Sequence, residues 1–173
     1  MMSDISMMPP WEELYPQLLA QQEAAFAREA KWDERFLQLC EFVKGWSKDP
    51  STQTGAVIVR PDLTVASVGY NGFPRGMSDD PALYDDRPTK YSRVVHCEMN
   101  ALIAAAEDVS GYTLYTTGMC CDRCAVHMIQ AGISRFVWRE DTVDMKSRWQ
   151  EAFDKVAGFY AETGVSTREV PRA

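Results

Sequence analysis

The chain has 173 residues, enough for one domain whose core needs no disulfide or metal staple. Apolar residues make up 46% and charged residues 25%, as in ordinary soluble globular proteins, and no stretch approaches the roughly 18 apolar residues needed to span a bilayer. The net charge of −7 argues against a polymer of phosphates as a stable partner, since non-specific nucleic-acid affinity comes from lysine and arginine displacing counterions, whereas a single nucleotide needs only a local basic pocket.

Residues 1–10 read as a frayed terminus ending in Pro9-Pro10, with no basic region followed by an apolar one that would mark an export signal. A cytoplasmic location is therefore expected. From Trp11 to Ala30, Leu14, Leu18, Ala25 and Phe26 predict an amphipathic helix, with Pro16 near its start, taken as an extension (1–30) packed on the domain or on a neighbouring subunit. The remainder, 31–173, reads as the functional domain.

That domain opens with a helix over Trp32 to Trp46, closed near Gly45, in which Phe36, Leu39, Cys40 and Val43 form one stripe and place Cys40 in the core. A polar connector, 47–54, leads to the buried-strand run Gly55 to Val59. Pro61-Asp62 then turns the chain into a second, antiparallel strand, Thr64 to Tyr70. No convincing element follows until Val94, and a loop of about two dozen residues in a compact domain is expected to be functional, ordered and over the site. Helices are predicted at Val94 to Asp108, Asp122 to Ala131 and Met145 to Glu162. Strands are predicted at Tyr112 to Thr116, Ser134 to Trp138 and Val165 to Val170. This order predicts an α/β domain with one mixed sheet of five strands and helices on both faces.

Two of the predicted helices begin with chemically loaded residues. His96-Cys97-Glu98 opens one and Cys121-Asp122-Arg123-Cys124 the next, with a strand between them, an arrangement that brings two helix N-termini together. One imidazole and two thiolates make a three-ligand zinc set with a fourth position for water, one catalytic ion per chain. Residues i and i+3 share a helical face, and a helix N-terminus favours thiolate over thiol. Glu98 has no ligand role in such a set and is free to move protons. Cys120 and Cys124 are also helix neighbours, so spacing alone leaves the thiolate pair open. Five cysteines, odd in number and clustered, point to metal before disulfides. His127 reads as a surface or packing residue and Tyr115 as a core aromatic. A lone C-x-x-C would fit a redox pair, and a structural zinc module binding a partner is the non-enzyme alternative, but structural sites are usually closed by four protein ligands.

The H-x-E and C-x-x-C elements together are the signature of zinc-dependent nucleobase deaminases. With Ser47-Lys48-Asp49-Pro50, Thr52 to Ala56, Gly69-Tyr70-Asn71-Gly72-Phe73-Pro74-Arg75-Gly76, Ser78-Asp79-Asp80 and Asn100-Ala101, the chain resembles the deoxycytidylate (dCMP) deaminases of the cytidine deaminase superfamily from about Trp32 to Val170. The resemblance implies a three-layer α/β/α fold and zinc-dependent hydrolysis of dCMP to dUMP and ammonia. It also implies a homo-oligomer, commonly a hexamer, often activated by dCTP and inhibited by dTTP. It assigns zinc to His96, Cys121 and Cys124, proton transfer to Glu98 and nucleotide recognition to Asn71. Another cytosine nucleoside or nucleotide, or a base within a nucleic acid, is the alternative substrate. The chain departs from the family pattern at three places. Cys97 replaces the usual alanine and is expected to point away from zinc, Cys120 replaces the proline before C-x-x-C, and Thr142 stands where many relatives have a tyrosine that helps hold the nucleotide.

Overall fold

The computed structural model describes residues 11–172, so the expected frayed terminus at 1–10 lies outside the described residues. The described residues divide into two compact units between Glu34 and Arg35. Helix α1, Trp11–Lys44, is a single element where the sequence reading has two. Ala30-Lys31-Trp32 contains neither glycine nor proline, so nothing there stops a helix once begun. In the first unit this helix places Trp11 edge-on to Tyr15, with ring centroids 6.3 Å apart, and leaves Leu18 and Phe26 exposed.

The second unit is built on five strands, β1 (Gly55–Val59), β2 (Val65–Tyr70), β3 (Thr113–Thr116), β4 (Arg135–Arg139) and β5 (Ser166–Val170), in the order β2-β1-β3-β4-β5. β1 is antiparallel to both neighbours, as the Pro61-Asp62 turn requires on one side. β3, β4 and β5 are parallel and joined through helices, because a parallel pair needs a crossover too long for a tight turn. The helices that follow the site motifs are α4 (Cys97–Ala105), α5 (Asp122–Gln130) and α6 (Val143–Thr163).

Alternation along the strands divides the core between two faces. Ala56, Ile58, Leu114 and Phe136 join Ala101, Met128, Val156 and Tyr160 of the three later helices in one buried cluster. On the other face Tyr115 meets Phe36 of α1, ring centroids 5.1 Å apart, and Leu37, Cys40 and Val43 are fully buried. The arrangement is thus the three-layer α/β/α fold with a five-stranded mixed sheet. Two glycines allow the close approach of helix to strand: a Cβ at Gly55 would overlap the Cys40 carbonyl, and one at Gly69 would overlap Cys97 O and Ala101 N. Gly69 therefore seats the helix that carries Glu98 directly against the sheet.

The stretch before Val94 is not a single loop. It holds two short helices, α2 (Pro81–Asp85) and α3 (Arg87–Arg93). Asp80 and Asp86 cap them by accepting from Ala82 N and Thr89 N, with a proline in each first turn. Helices of five and seven residues are too short to show a 3.6-residue periodicity, and the Asp-Pro and Asp-Arg-Pro sequences were the signal available. The segment is ordered, as expected. Lys48 Nζ pairs with Asp79 at 2.5 Å, Tyr84 Oη donates to Asp79 at 3.1 Å, and Tyr84 stacks on Phe73 with centroids 4.1 Å apart.

Candidate metal centre

β2 ends at Tyr70, and a short bridge between Gly72 and Val95 delivers the chain to α4 in extended conformation. His96 is the N-cap residue of that helix, which puts its ring at the helix mouth and Glu98 in the first turn. Asn100 Nδ2 donates to Tyr70 O at 2.7 Å and fixes the entry. On the far side of β1, β3 leads through Gly118 and Met119 to Cys121, the N-cap of α5, whose Sγ accepts from Cys124 N at 3.5 Å. The strand-then-helix arrangement read from the sequence thus brings the two motifs together.

His96 Nδ1 lies 3.4 Å from Cys121 Sγ and 3.5 Å from Cys124 Sγ. All three ligand atoms fall within 4.8 Å of one another, and among the described residues they form the one such group. A tetrahedral zinc ion with Zn–S of about 2.3 Å and Zn–N of about 2.0 Å separates nitrogen from sulfur by about 3.5 Å, so this donor set fits zinc in both chemistry and size. The Cys124 thiol beside it, together with His96, pulls Cys121 down to about 4 against the effect of burial, while the same partnership with Cys121 and burial push Cys124 up. The two sulfurs thus share a proton between them, and a bound metal ion would take both as thiolates. Hydrogen bonding to Cys121 raises His96 against burial, helped by the Glu98 charge.

Cys120 is not part of this group. It is fully buried and its Sγ lies 3.1 Å from Tyr160 Oη. Cys97 is buried too, and its thiol donates to Glu98 Oε2 at 3.3 Å, a contact that no sequence pattern announces. Burial pushes the Cys97 thiol well up, which keeps it a donor. Glu98 is 5% exposed. Burial raises its carboxyl above the usual range, opposed by the His96 charge, so it holds a proton more readily than a surface glutamate. His127 is exposed at 2.6 Å from the Arg123 carbonyl, and Tyr115 is buried in the core, as expected.

His96, Cys121 and Glu98 open into a cavity of about 520 Å³, and Asn71 is part of its wall. The motifs that surround the candidate ligands in sequence build that wall. Asn71 Oδ1 accepts from Thr54 N at 2.7 Å and Nδ2 donates to Thr52 O at 2.8 Å. Asp49 accepts from the backbone of Ser51 and Thr52, and Lys90 Nζ meets Asp49 Oδ2 at 2.7 Å. Lys90, missed in the sequence because nothing marks a pairing across 41 residues, ties α3 to the connector.

Both members of this pair are buried, with side chains 10% and 0% exposed. Lys90→Ala leaves Asp49 uncompensated and is expected to cost about 3–5 kcal/mol in urea unfolding. Burial raises Asp49, but the Lys90 hydrogen bond and the Ser51 and Thr52 donors outweigh it and lower its pKa. The pair's contribution is therefore fully present above the ordinary aspartate range and is lost as pH falls below it. A Lys90→Ala protein as stable as the parent at neutral pH would contradict this account.

Residues 30–140 match the family model of the cytidine and deoxycytidylate deaminase zinc-binding region. An uncharacterized deaminase of Aliivibrio fischeri is 42% identical over 142 residues, 82% of this chain and 95% of that one. Deoxycytidylate deaminase of Mus musculus is 37% identical over 117 residues, 64% of this chain and 66% of the mouse protein. The same fold is found in dCMP deaminase from the cyanophage S-TIM5 in complex with dCMP and dUMP, with a TM-score of 0.61 at 21% identity, over 79% of this chain and 95% of that one. Among the described residues no helix is long and apolar enough to cross a membrane.

Proposed function

The chain belongs to the cytidine and deoxycytidylate deaminase family, and from that premise we propose that it hydrolyses dCMP to dUMP and ammonia with one zinc ion held by His96, Cys121 and Cys124. The observation that carries the reading is the meeting of this donor set with a buried, ligand-free glutamate at one end of a nucleotide-sized cavity. A set of three protein ligands favours a catalytic over a structural ion, because the fourth position is left for water.

Zinc bound there supplies a water acidified to near neutrality. Glu98 takes a proton from the attacking water and delivers it to N3 of cytosine, which makes C4 electrophilic. As oxygen bonds to C4 and the C4–N4 bond breaks, Glu98 carries the second water proton to the departing amine, which leaves as ammonia. Its burial suits that task, since a carboxyl raised above its usual range takes up a proton more readily than a surface glutamate. Cys97 steadies the carboxylate through its thiol.

Asn71 is assigned to nucleotide recognition. Its Oδ1 has one lone pair taken by Thr54 N and a second available to a sugar hydroxyl. Asn71→Ala is expected to weaken dCMP binding and to retain zinc; unchanged kinetics would reduce Asn71 to a brace for the connector. The catalytic part is assigned to 31–173 and the extension to 1–30. A homo-oligomer such as a hexamer, with activation by dCTP and inhibition by dTTP, belongs to the same reading and rests on the family resemblance. Sedimentation and effector titration test it. The five free cysteines support a reducing, cytoplasmic setting. The reading as a whole is tested by deamination assays on dCMP, dCTP, deoxycytidine and CMP, with dCMP expected to have the highest kcat/KM.

A further inference from the structure

The cavity above the metal centre has an outer wall that chemistry at C4 does not use. Helix α6 turns Met145, Arg148, Trp149, Ala152 and Phe153 into it, an i, i+3, i+4, i+7, i+8 stripe in which Arg148 is the one charged residue. Arg87, the first residue of α3, lines the same cavity. Among the described residues neither guanidinium has an ion-pair or hydrogen-bond partner. The other cation in the wall, Lys90, is taken by Asp49. Two unpaired guanidiniums therefore face the cavity, whose carboxylates besides Asp49 are Asp85 and, at the metal end, Glu98.

We infer that Arg148, together with Arg87, clamps the 5′-phosphate of the substrate and sets the preference for a nucleoside monophosphate over a nucleoside. The inference rests on the deaminase reading above. A guanidinium presents a rigid fork of donors that matches phosphate oxygens two at a time, and it keeps its charge at every working pH. Thr142, at the family's tyrosine position, is engaged elsewhere. It lines a neighbouring cavity of about 440 Å³, and its hydroxyl accepts from Met145 N at 3.3 Å as the cap of α6. Thr142 therefore leaves the guanidiniums of the α6 and α3 wall as the cationic donors open to a phosphate in this cavity. Arg148 is exposed and unpaired, so its replacement leaves no buried group unsatisfied.

The test is the ratio of kcat/KM for dCMP to kcat/KM for deoxycytidine, measured in the zinc-loaded parent, Arg148→Ala, Arg148→Lys and Arg87→Ala. The ratio is expected to fall about tenfold to a hundredfold in Arg148→Ala, mostly through KM, and to recover in part in Arg148→Lys, which restores charge without the fork. A second readout needs no turnover: on a Glu98→Gln background, calorimetry should show Arg148→Ala losing affinity for dUMP more than for deoxyuridine. A ratio within twofold of the parent in both alanine variants, in a protein that deaminates dCMP, would overturn the clamp alone. A parent inert toward every cytosine compound would overturn the deaminase reading and the clamp with it.

Discussion

Glu98→Gln is expected to turn over dCMP at least about a hundredfold more slowly than the parent, with zinc and nucleotide binding retained. The amide keeps the volume and shape of the side chain in a site where Glu98 is 5% exposed, so the packing around it is undisturbed. It removes the capacity to take a proton from water and to pass it on. General acid–base participation is typically worth 10²- to 10⁴-fold, and one residue serving several transfers belongs at the upper end of that range. The Cys97 thiol loses a charged acceptor, a weak bond whose loss is small beside the proton transfers. Single-turnover deamination of dCMP checks this, alongside metal analysis of the same sample. A variant that deaminates at the parent's rate would assign the proton transfers to another group.

The second large effect lies in the metal. Cys121→Ser should strip the protein of zinc, because it removes one of the three candidate ligands. Cys120→Ser should keep one zinc per chain. Its sulfur is fully buried against Tyr160, away from the His96 ring, so its cost appears in stability. Metal analysis of the two variants side by side reads this directly. Zinc lost from Cys120→Ser and kept by Cys121→Ser would reverse the assignment of the thiolates.

The contrast between these two neighbouring cysteines shows what the sequence could and could not say. Spacing allowed either Cys121 or Cys120 to pair with Cys124, and it is the N-cap conformation of Cys121 that turns its sulfur toward His96. The central strands were legible because Gly55 to Val59 and its neighbours are short apolar runs between turn residues, whereas the polar edge strand Ser166–Val170 gave a weaker signal. The continuity of α1 through Lys31 was not, since it depends on the absence of a stop signal and not on the presence of one. Short helices α2 and α3 were hidden from periodicity, and with them the positions of Arg87 and Lys90. Asn71 stood out through its motif, yet its bonds to Thr52 and Thr54 reflect packing between segments that no local pattern encodes. Arg148 falls in the same class, because a lone arginine on an amphipathic helix looks like solvent-facing charge until the cavity beside it is known.

The most direct measurement is dCMP deamination followed through metal removal and return on one sample of the full-length protein. Activity should disappear as a chelator removes zinc and return in proportion to added zinc, reaching its maximum at one equivalent per chain, with dUMP and ammonia formed in equal amounts. Full activity in metal-free protein, or none on dCMP at one zinc per chain, would contradict the assignment of His96, Cys121, Cys124 and Glu98 to this reaction.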